Sequence, residues 1–340
     1  MKKRITPLRV VGALVGALVL AIFILNRIQT DKYLFTVDTA HPLAPFVHVQ
    51  GAHPAGTGEL FYVDVDEIHA SELDLLLRRW LHPHSTEVKA NLIVPRGTTS
   101  RQQLKAGFRE MATSQQIAAA VALQRLGYHV IGPKDGVFVD NVYSNAPAAA
   151  KVFPADVIVA ANGKPTKTLT ALHAAVAPVK PGQVVSLRIR RGAKTVVEDI
   201  KTIPDPDAPK RALIGVLVEQ DAKIRKPPIK ISINLAGVGG PSAGLPLALE
   251  VMQELGTDVT HGYKVAATGQ IHLDGTISAI GGIEQKTWGA RDAGAQVFLV
   301  PVDGGNAKDA KKYAGPNLKI IPVTSLKQAV RALAALPKLK

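Results

Sequence analysis

An unbroken apolar run occupies Val10 to Leu25, with Lys2, Lys3, Arg4 and Arg9 before it and Asn26 and Arg27 after it. Its 16 residues make about 24 Å of helix, a little under a ~30 Å hydrocarbon core. Leu8, Ile28 and snorkelling basic side chains extend it enough to span. Residues 1–28 are therefore expected to be a cytoplasmic tip and a transmembrane signal anchor. A cleaved signal peptide has the same order of basic, apolar and polar segments, but no small-x-small site follows Leu25, which favours an uncleaved anchor. The basic excess on the N-terminal side keeps that end in the cytoplasm and puts residues from about 30 onward outside the membrane.

Shorter rhythms follow. Residues 29–55 are rich in Pro, His, Gly and Thr and open a juxtamembrane α/β segment, residues 29–126. In it Glu59 to Val65 alternates like a strand, and Ser71 to Leu81 has helical spacing with Leu73, Leu76, Leu77 and Trp80 on one face, Trp80 being the expected core anchor. Residues 101–126 carry a long helical pattern, and Thr113-x-x-Gln116, in capping-box form, is a place where it can break. From Gly136 short strands and turns take over: Gly136 to Val142, a turn into a short helix at Ser144 to Ala150, a strand from Val157 closing on Asn162-Gly163, a helix from Leu169 to Ala177, and a last strand from Gln183 to Arg190. Residues 204–210, with three prolines and two aspartates, form a linker. Residues 211–340 are a third unit of alternating strands and helices.

The order of elements over residues 127–203 resembles a PDZ domain, with Pro154-Ala155-Asp156 where Gly-Asp is usual. The resemblance implies a groove between a strand and the helix of Leu169 to Ala177, in which an extended chain end adds as a strand and its carboxylate meets backbone N–H groups. The carboxylate loop would lie at Tyr128, His129, Val130 and Ile131, which lack the usual Gly-Leu-Gly-Phe form. A PDZ fold serving only as a spacer is the alternative.

Composition narrows the chemistry. The 340 residues contain no cysteine, which excludes disulfides, iron–sulfur clusters and thiol catalysis. The net charge of +14 includes six basic residues against one acid in the first 35, and the rest is spread without a long basic run or interleaved aromatics. Nucleic acid is not an expected partner, whereas anionic lipid near the anchor is compatible with that charge. No H-E-x-x-H is present, His82-Pro83-His84 looks like a surface turn, and neither metal nor cofactor is called for.

Candidate chemistry centres on Gly239-Gly240-Pro241-Ser242-Ala243-Gly244-Leu245. Ile229 to Leu235 before it alternates at period 2, and Leu245, Ala248, Leu249, Met252 and Leu255 after it follow the helical period. A serine at such a strand-to-helix turn sits where free N–H groups and the positive end of the helix dipole would stabilise a negative oxygen. It could equally be a plain N-cap. A nucleophilic serine needs a base. His261 and His272 are candidates, and Lys286, at the start of a second helix after Gly281-Gly282, is the better one. An ordinary lysine is only about 0.1% neutral near pH 7.4, so Lys286 would need a buried site that lowers its pKa by several units.

Gly240-Pro241-Ser242-Ala243-Gly244, followed after 44 residues by Lys286 in a Gly-Gly-Ile-x-x-Lys context, resembles the Lon-type (S16) serine-lysine protease domain. Ala267-Thr268-Gly269 matches its Thr-Gly element, and Ala293 to Pro301 fits its segment order. With the anchor and the PDZ-like unit, the whole looks like the bacterial YlbL-like membrane-anchored proteases. The resemblance implies a multidomain α+β protein ending in an α/β proteolytic domain that cuts protein or peptide substrates with Ser242 and Lys286. Thr268 would orient or discharge the lysine ammonium, and backbone N–H groups of Ser242 and Ala243 would form the oxyanion hole. It also implies a homo-oligomer, since Lon-type domains commonly form rings. Gly239-Gly240 stands where many ATP-dependent relatives carry an acid, and no G-x-x-x-x-G-K-S/T occurs, so the enzyme is expected to work without ATP. Rival expectations are a PDZ-mediated scaffold without turnover and a protease limited to self-cleavage.

Overall fold

The computed structural model describes residues 7–93, 100–143, 146–153, 156–205, 208–235 and 237–339. Ser144, Asn145, Pro154 and Ala155 of the PDZ-like pattern, residues 206 and 207 of the linker and the basic residues Lys2 to Arg4 lie outside them. The chain divides into two compact units: residues 1–116 with 231–271 and 277–340, and residues 117–230 with 272–276.

The apolar run forms helix α1 (Pro7–Arg27), long and apolar enough to cross a membrane and with the 18-residue span Val10–Arg27 unburied by protein. Strand β1 (Gln29–Val37) follows, then β2 (His41–Pro42), β3 (Val47–Val49), β4 (Glu59–Tyr62) and β5 (Val65–Ser71). β5 returns antiparallel along β1, Gln29 facing Ser71 and Val37 facing Val65. Ser71 caps the next helix in a full capping box with Asp74. The helix predicted over 71–81 is broken at Leu77 into α2 (Glu72–Leu76) and α3 (Arg78–Leu81), and Trp80 is 84% exposed instead of anchoring a core. Helical period identifies a shared face but not whether anything covers it. Strand β6 (Thr86–Lys89) then pairs with the other edge of β1, followed by the short α4 (Ala90–Ile93) and the long α5 (Ser100–Arg125). α5 runs unbroken through Thr113.

In the second unit β7 (Ile131–Val142), β8 (Val157–Ala161) and β9 (Lys164–Pro165) lead to α6 (Leu169–Val176), capped by Thr168 through the Ala171 N–H at 3.0 Å. β10 (Val184–Arg191) and β11 (Lys194–Lys201) form a hairpin in register from Val184–Lys201 to Arg191–Lys194, and β11 had no counterpart among the predicted strands. β12 (Ile203–Pro204) pairs with β13 (Ala212–Leu213), and β14 (Val216–Ile224) with β7 along its length, Val216 facing Val142 and Ile224 facing Ile131. The sheet order is β11-β10-β8-β7-β14 with β9 on β8. Residues 211–230, expected with the third unit, thus complete this sheet. Its core gathers Val137, Val139, Ile158, Leu187 and Ile189 under Leu172 and Ala175 of α6.

The chain then re-enters the first unit. β15 (Ile231–Ile233) pairs with β3, shorter than the predicted strand from Ile229 to Leu235. After α7 (Gly244–Glu254) come β16 (Lys264–Ala267), β17 (Gln270–Ile271), β18 (Ile277–Ser278) and α8 (Ile283–Asp292), then β19 (Val297–Pro301), α9 (Asn306–Tyr313), β20 (Lys319–Val323) and α10 (Leu326–Ala334). The sheet order β2-β4-β16-β19-β20 places β4, from the N-terminal segment, parallel to and in register with β16, Tyr62 facing Ala267. The segment predicted as a juxtamembrane piece of its own therefore supplies a strand to the sheet of the C-terminal part. The buried residues Val265, Ala266, Phe298, Leu299 and Val300 give β16 and β19 the near-continuous apolar character of a parallel sheet covered on both faces.

Candidate active site

The Gly-Pro-Ser turn is held from both sides. Helix α5 reaches it with two polar groups: the Gly107 carbonyl accepts the Gly240 N–H at 2.9 Å, and the Ser114 hydroxyl donates to the Pro241 carbonyl at 3.0 Å. From β16 onward, the Gly269 N–H donates to the Ser242 carbonyl at 2.8 Å and the Leu245 N–H donates to the Gly269 carbonyl at 3.0 Å. Gly240 takes the left-handed conformation, φ 77°, which glycine adopts without steric cost. Gly244 must stay bare, because a β-carbon there would come within 2.9 Å of the Ser114 hydroxyl and 2.7 Å of the Ile271 side chain. Ser242 is not the N-cap of α7. Ala243 holds that position and no side chain caps the helix, so the serine hydroxyl is left for another partner.

That partner is Lys286. Its Nζ donates to Ser242 Oγ at 2.8 Å, and the lysine is 3% exposed. Gly282, left-handed at φ 67° and packed where a β-carbon would meet Val65, turns the chain into α8 and aims Lys286 at the serine from its first turn. Burial pushes the Lys286 ammonium down from 10.5 to about 8, and the carboxylates of Asp64 and Glu67 pull it back up. Desolvation dominates, as expected for a cation withdrawn from water.

Thr268 is fully buried, and its hydroxyl donates to the Ser242 carbonyl at 3.3 Å. It touches the Ser242 peptide, whereas the one side-chain hydrogen bond of Lys286 among the described residues goes to the Ser242 hydroxyl. The N–H groups of Ser242 and Ala243 have no hydrogen-bond partner among the described residues. His261 follows Asp258, whose carboxylate accepts its backbone N–H at 3.0 Å, and His272 lies 3.7 Å from Glu219. Neither histidine lines the cleft around Ser242.

That cleft has a volume of about 400 Å³. One wall is the Gly-Pro-Ser turn with Lys286, and the facing wall is Phe35, Asp64, Val65, Asp66 and Glu67. The acidic wall was missed at the level of sequence, since nothing local links β5 to a turn so far along the chain. Burial raises the carboxyl pKa of Asp64, Asp66 and Glu67, and Asp38 pushes further in the case of the two aspartates. Asp38, His41 and Asp64 bring ligand-type atoms within 4.8 Å of one another, but the His41–Asp38 ion pair at 3.2 Å accounts for that approach without an ion.

In the second unit the expected carboxylate loop is already engaged. The N–H groups of Tyr128, Val130 and Ile131 donate to the Leu123 carbonyl, the Tyr128 carbonyl and the Gln124 side chain, and the Val130 carbonyl accepts the Arg225 N–H. Only His129 keeps an N–H without such a partner among the described residues, too little for a carboxylate nest. β14 is one of the two edge strands of this sheet, and it packs against α6.

Comparison with known proteins agrees with this division. Residues 229–335 match the Lon protease (S16) C-terminal proteolytic domain, and residues 124–202 match the PDZ domain. The Lon protease of Chloroflexus aggregans is 37% identical over 102 residues, 28% of this chain and 12% of that protein. Lon protease 1 of Myxococcus xanthus is 34% identical over 100 residues, 29% and 12%, and the Lon protease of Xanthomonas oryzae pv. oryzae 39% over 87 residues, 25% and 10%. The chain thus spans about an eighth of the length of these relatives. The PDZ domain of the SdrC-like protein from Listeria monocytogenes is 27% identical over 25% of this chain and 87% of that one, with a TM-score of 0.23. This chain therefore carries a PDZ domain followed by a Lon-type (S16) proteolytic domain, behind an N-terminal helix apolar enough to cross a membrane.

Proposed function

We propose that the protein is a membrane-anchored serine endopeptidase whose nucleophile is Ser242 and whose general base is Lys286. The observation that carries this is the 2.8 Å approach of a 3% exposed lysine to a serine hydroxyl that caps nothing. In its neutral form Lys286 accepts the Ser242 proton as Oγ attacks the substrate carbonyl. The oxyanion settles on the N–H groups of Ser242 and Ala243, which have no hydrogen-bond partner among the described residues to give up. Lys286 then returns the proton to the leaving amine, and water, activated by the same lysine, hydrolyses the acyl-enzyme. Thr268, through its bond to the Ser242 carbonyl, positions the nucleophile rather than touching the lysine.

Extended chain ends dock on β14 beside α6 and not at Tyr128 to Ile131. The sequence contains no nucleotide-binding P-loop, and we assign hydrolysis without ATP to a catalytic unit held outside the membrane by α1. Ser242→Ala and Lys286→Ala variants are expected to lose cleavage of an unfolded protein substrate, while each still unfolds cooperatively and melts no more than a few degrees below the parent. Parent-like cleavage by either would defeat the proposal. A scaffold without turnover would show no labelling of Ser242 by a serine-reactive phosphonate.

A further inference from the structure

The first unit contains an apolar surface that neither its core nor the Ser242 cleft uses. Leu76 is 69% exposed, Trp80 84% and Leu81 50%, and no large apolar side chain among the described residues is more exposed than Trp80. Leaving such side chains in water forfeits roughly 1.5–3 kcal/mol each.

Three features say what covers them. First, α2 starts at the end of α1: the Glu72 N–H donates to the Ile28 carbonyl at 3.0 Å, and Gln29 faces Ser71 in the β1–β5 pair. Second, α2 packs beside α1 instead of leading away from it, and Leu25, inside the apolar run, is the one partly covered side chain among those described in α1. The ten residues from Glu72 to Leu81 therefore stay within about 15 Å of the point where α1 ends. Third, the patch has the chemistry of a bilayer boundary, with an indole and two leucines beside Arg79, which has no carboxylate partner among the described residues. Tryptophan favours the headgroup level and arginine the lipid phosphates.

We propose that α2 and α3 form an interfacial foot, seated in the lipid headgroup region beside α1, and that Trp80 is its anchor. The foot is fastened to the catalytic unit. The Gln285 side chain, next to Lys286 in α8, donates to the His84 carbonyl at 2.8 Å and to the Thr86 hydroxyl at 2.9 Å, and the His84 ring stacks on Trp288 at 3.8 Å. Lipid contact at the foot thus fixes the height and tilt of the cleft above the membrane, whatever reaction the cleft performs.

The test uses the full chain in nanodiscs of phosphatidylcholine and phosphatidylglycerol, with spin labels at the lipid headgroup or deep in the acyl chain. The protein has two tryptophans, so subtracting the spectrum of Trp80→Tyr isolates Trp80. Its emission is expected to be blue-shifted from that of aqueous indole and quenched at least twofold more by the shallow label than by the deep one. In a second variant, Leu76→Glu with Leu81→Glu, Trp80 remains as reporter and the shallow quenching is expected to fall by half or more. Trp80 emission untouched by lipid labels and fully open to aqueous iodide would overturn the proposal. So would a blue shift that depends on protein concentration and not on lipid, which would mean that a second copy covers the patch, or purification of a chain from which α1 has been removed.

Discussion

The two walls of the cleft are built differently. The wall with Ser242 and Lys286 comes from residues 231–340, where each of the two side chains follows a left-handed glycine, Gly240 or Gly282. The facing wall, with Asp64, Asp66 and Glu67, comes from the segment after α1, outside residues 229–335 that match the Lon-type domain. The first wall sets geometry. The second sets electrostatics, because its carboxylates are what opposes the effect of burial on Lys286.

The largest effect should come from breaking the first wall. Ser242→Ala or Lys286→Met is expected to lower kcat/KM by at least about a thousandfold, some 4 kcal/mol of transition-state stabilisation, measured on an unfolded substrate. Lys286→Met should also reveal what the site costs. The displacement of its pKa from 10.5 to about 8 corresponds to roughly 3 kcal/mol. That cost is fully present below pH 8, where the lysine is charged in both folded and unfolded chains. It is relieved as the pH rises from about 8 to 10.5, where the folded protein holds the neutral form and the unfolded chain still binds the proton. The variant is therefore expected to melt several degrees above the parent at pH 7, with the gap closing above pH 10. A variant that melts at or below the parent at pH 7 would speak against a strained lysine.

Next in size is the packing of the turn. Gly244→Ala must push a methyl into Ser114 and Ile271, and is expected to cost about 1–3 kcal/mol in a denaturant titration together with most of the activity. Smallest is the change at the second wall. Asp64→Asn and Glu67→Gln each remove a charge that raises the Lys286 pKa, so the pH profile of kcat/KM should shift to lower pH, by under about one unit for a partly solvated pair. An unmoved profile would mean that the second wall does not set the lysine's charge.

These differences also mark what the sequence disclosed. Ser242 and Lys286 could be paired from motif and spacing because each stands beside its own glycine turn, a local signal. Asp64 and Glu67 could not, because they follow β4, which pairs in register with β16 some 200 residues later, and pairing across such a distance leaves no local pattern. The bonds of Gly107 and Ser114 to the Gly-Pro-Ser turn were hidden for the same reason. β14 was assigned to the third unit because a proline-rich stretch precedes it, yet its partner β7 lies before that stretch. Trp80 shows the limit of helical period: the apolar face was recognisable, but a bilayer and a protein core attract the same side chains.

The most direct measurement is the rate at which a serine-reactive phosphonate labels Ser242 as a function of pH. With Lys286 as the base, the rate should rise through an apparent pKa of about 8 and collapse in Lys286→Met. A rate that does not change between pH 6 and 10, or that survives the loss of Lys286, would contradict the dyad.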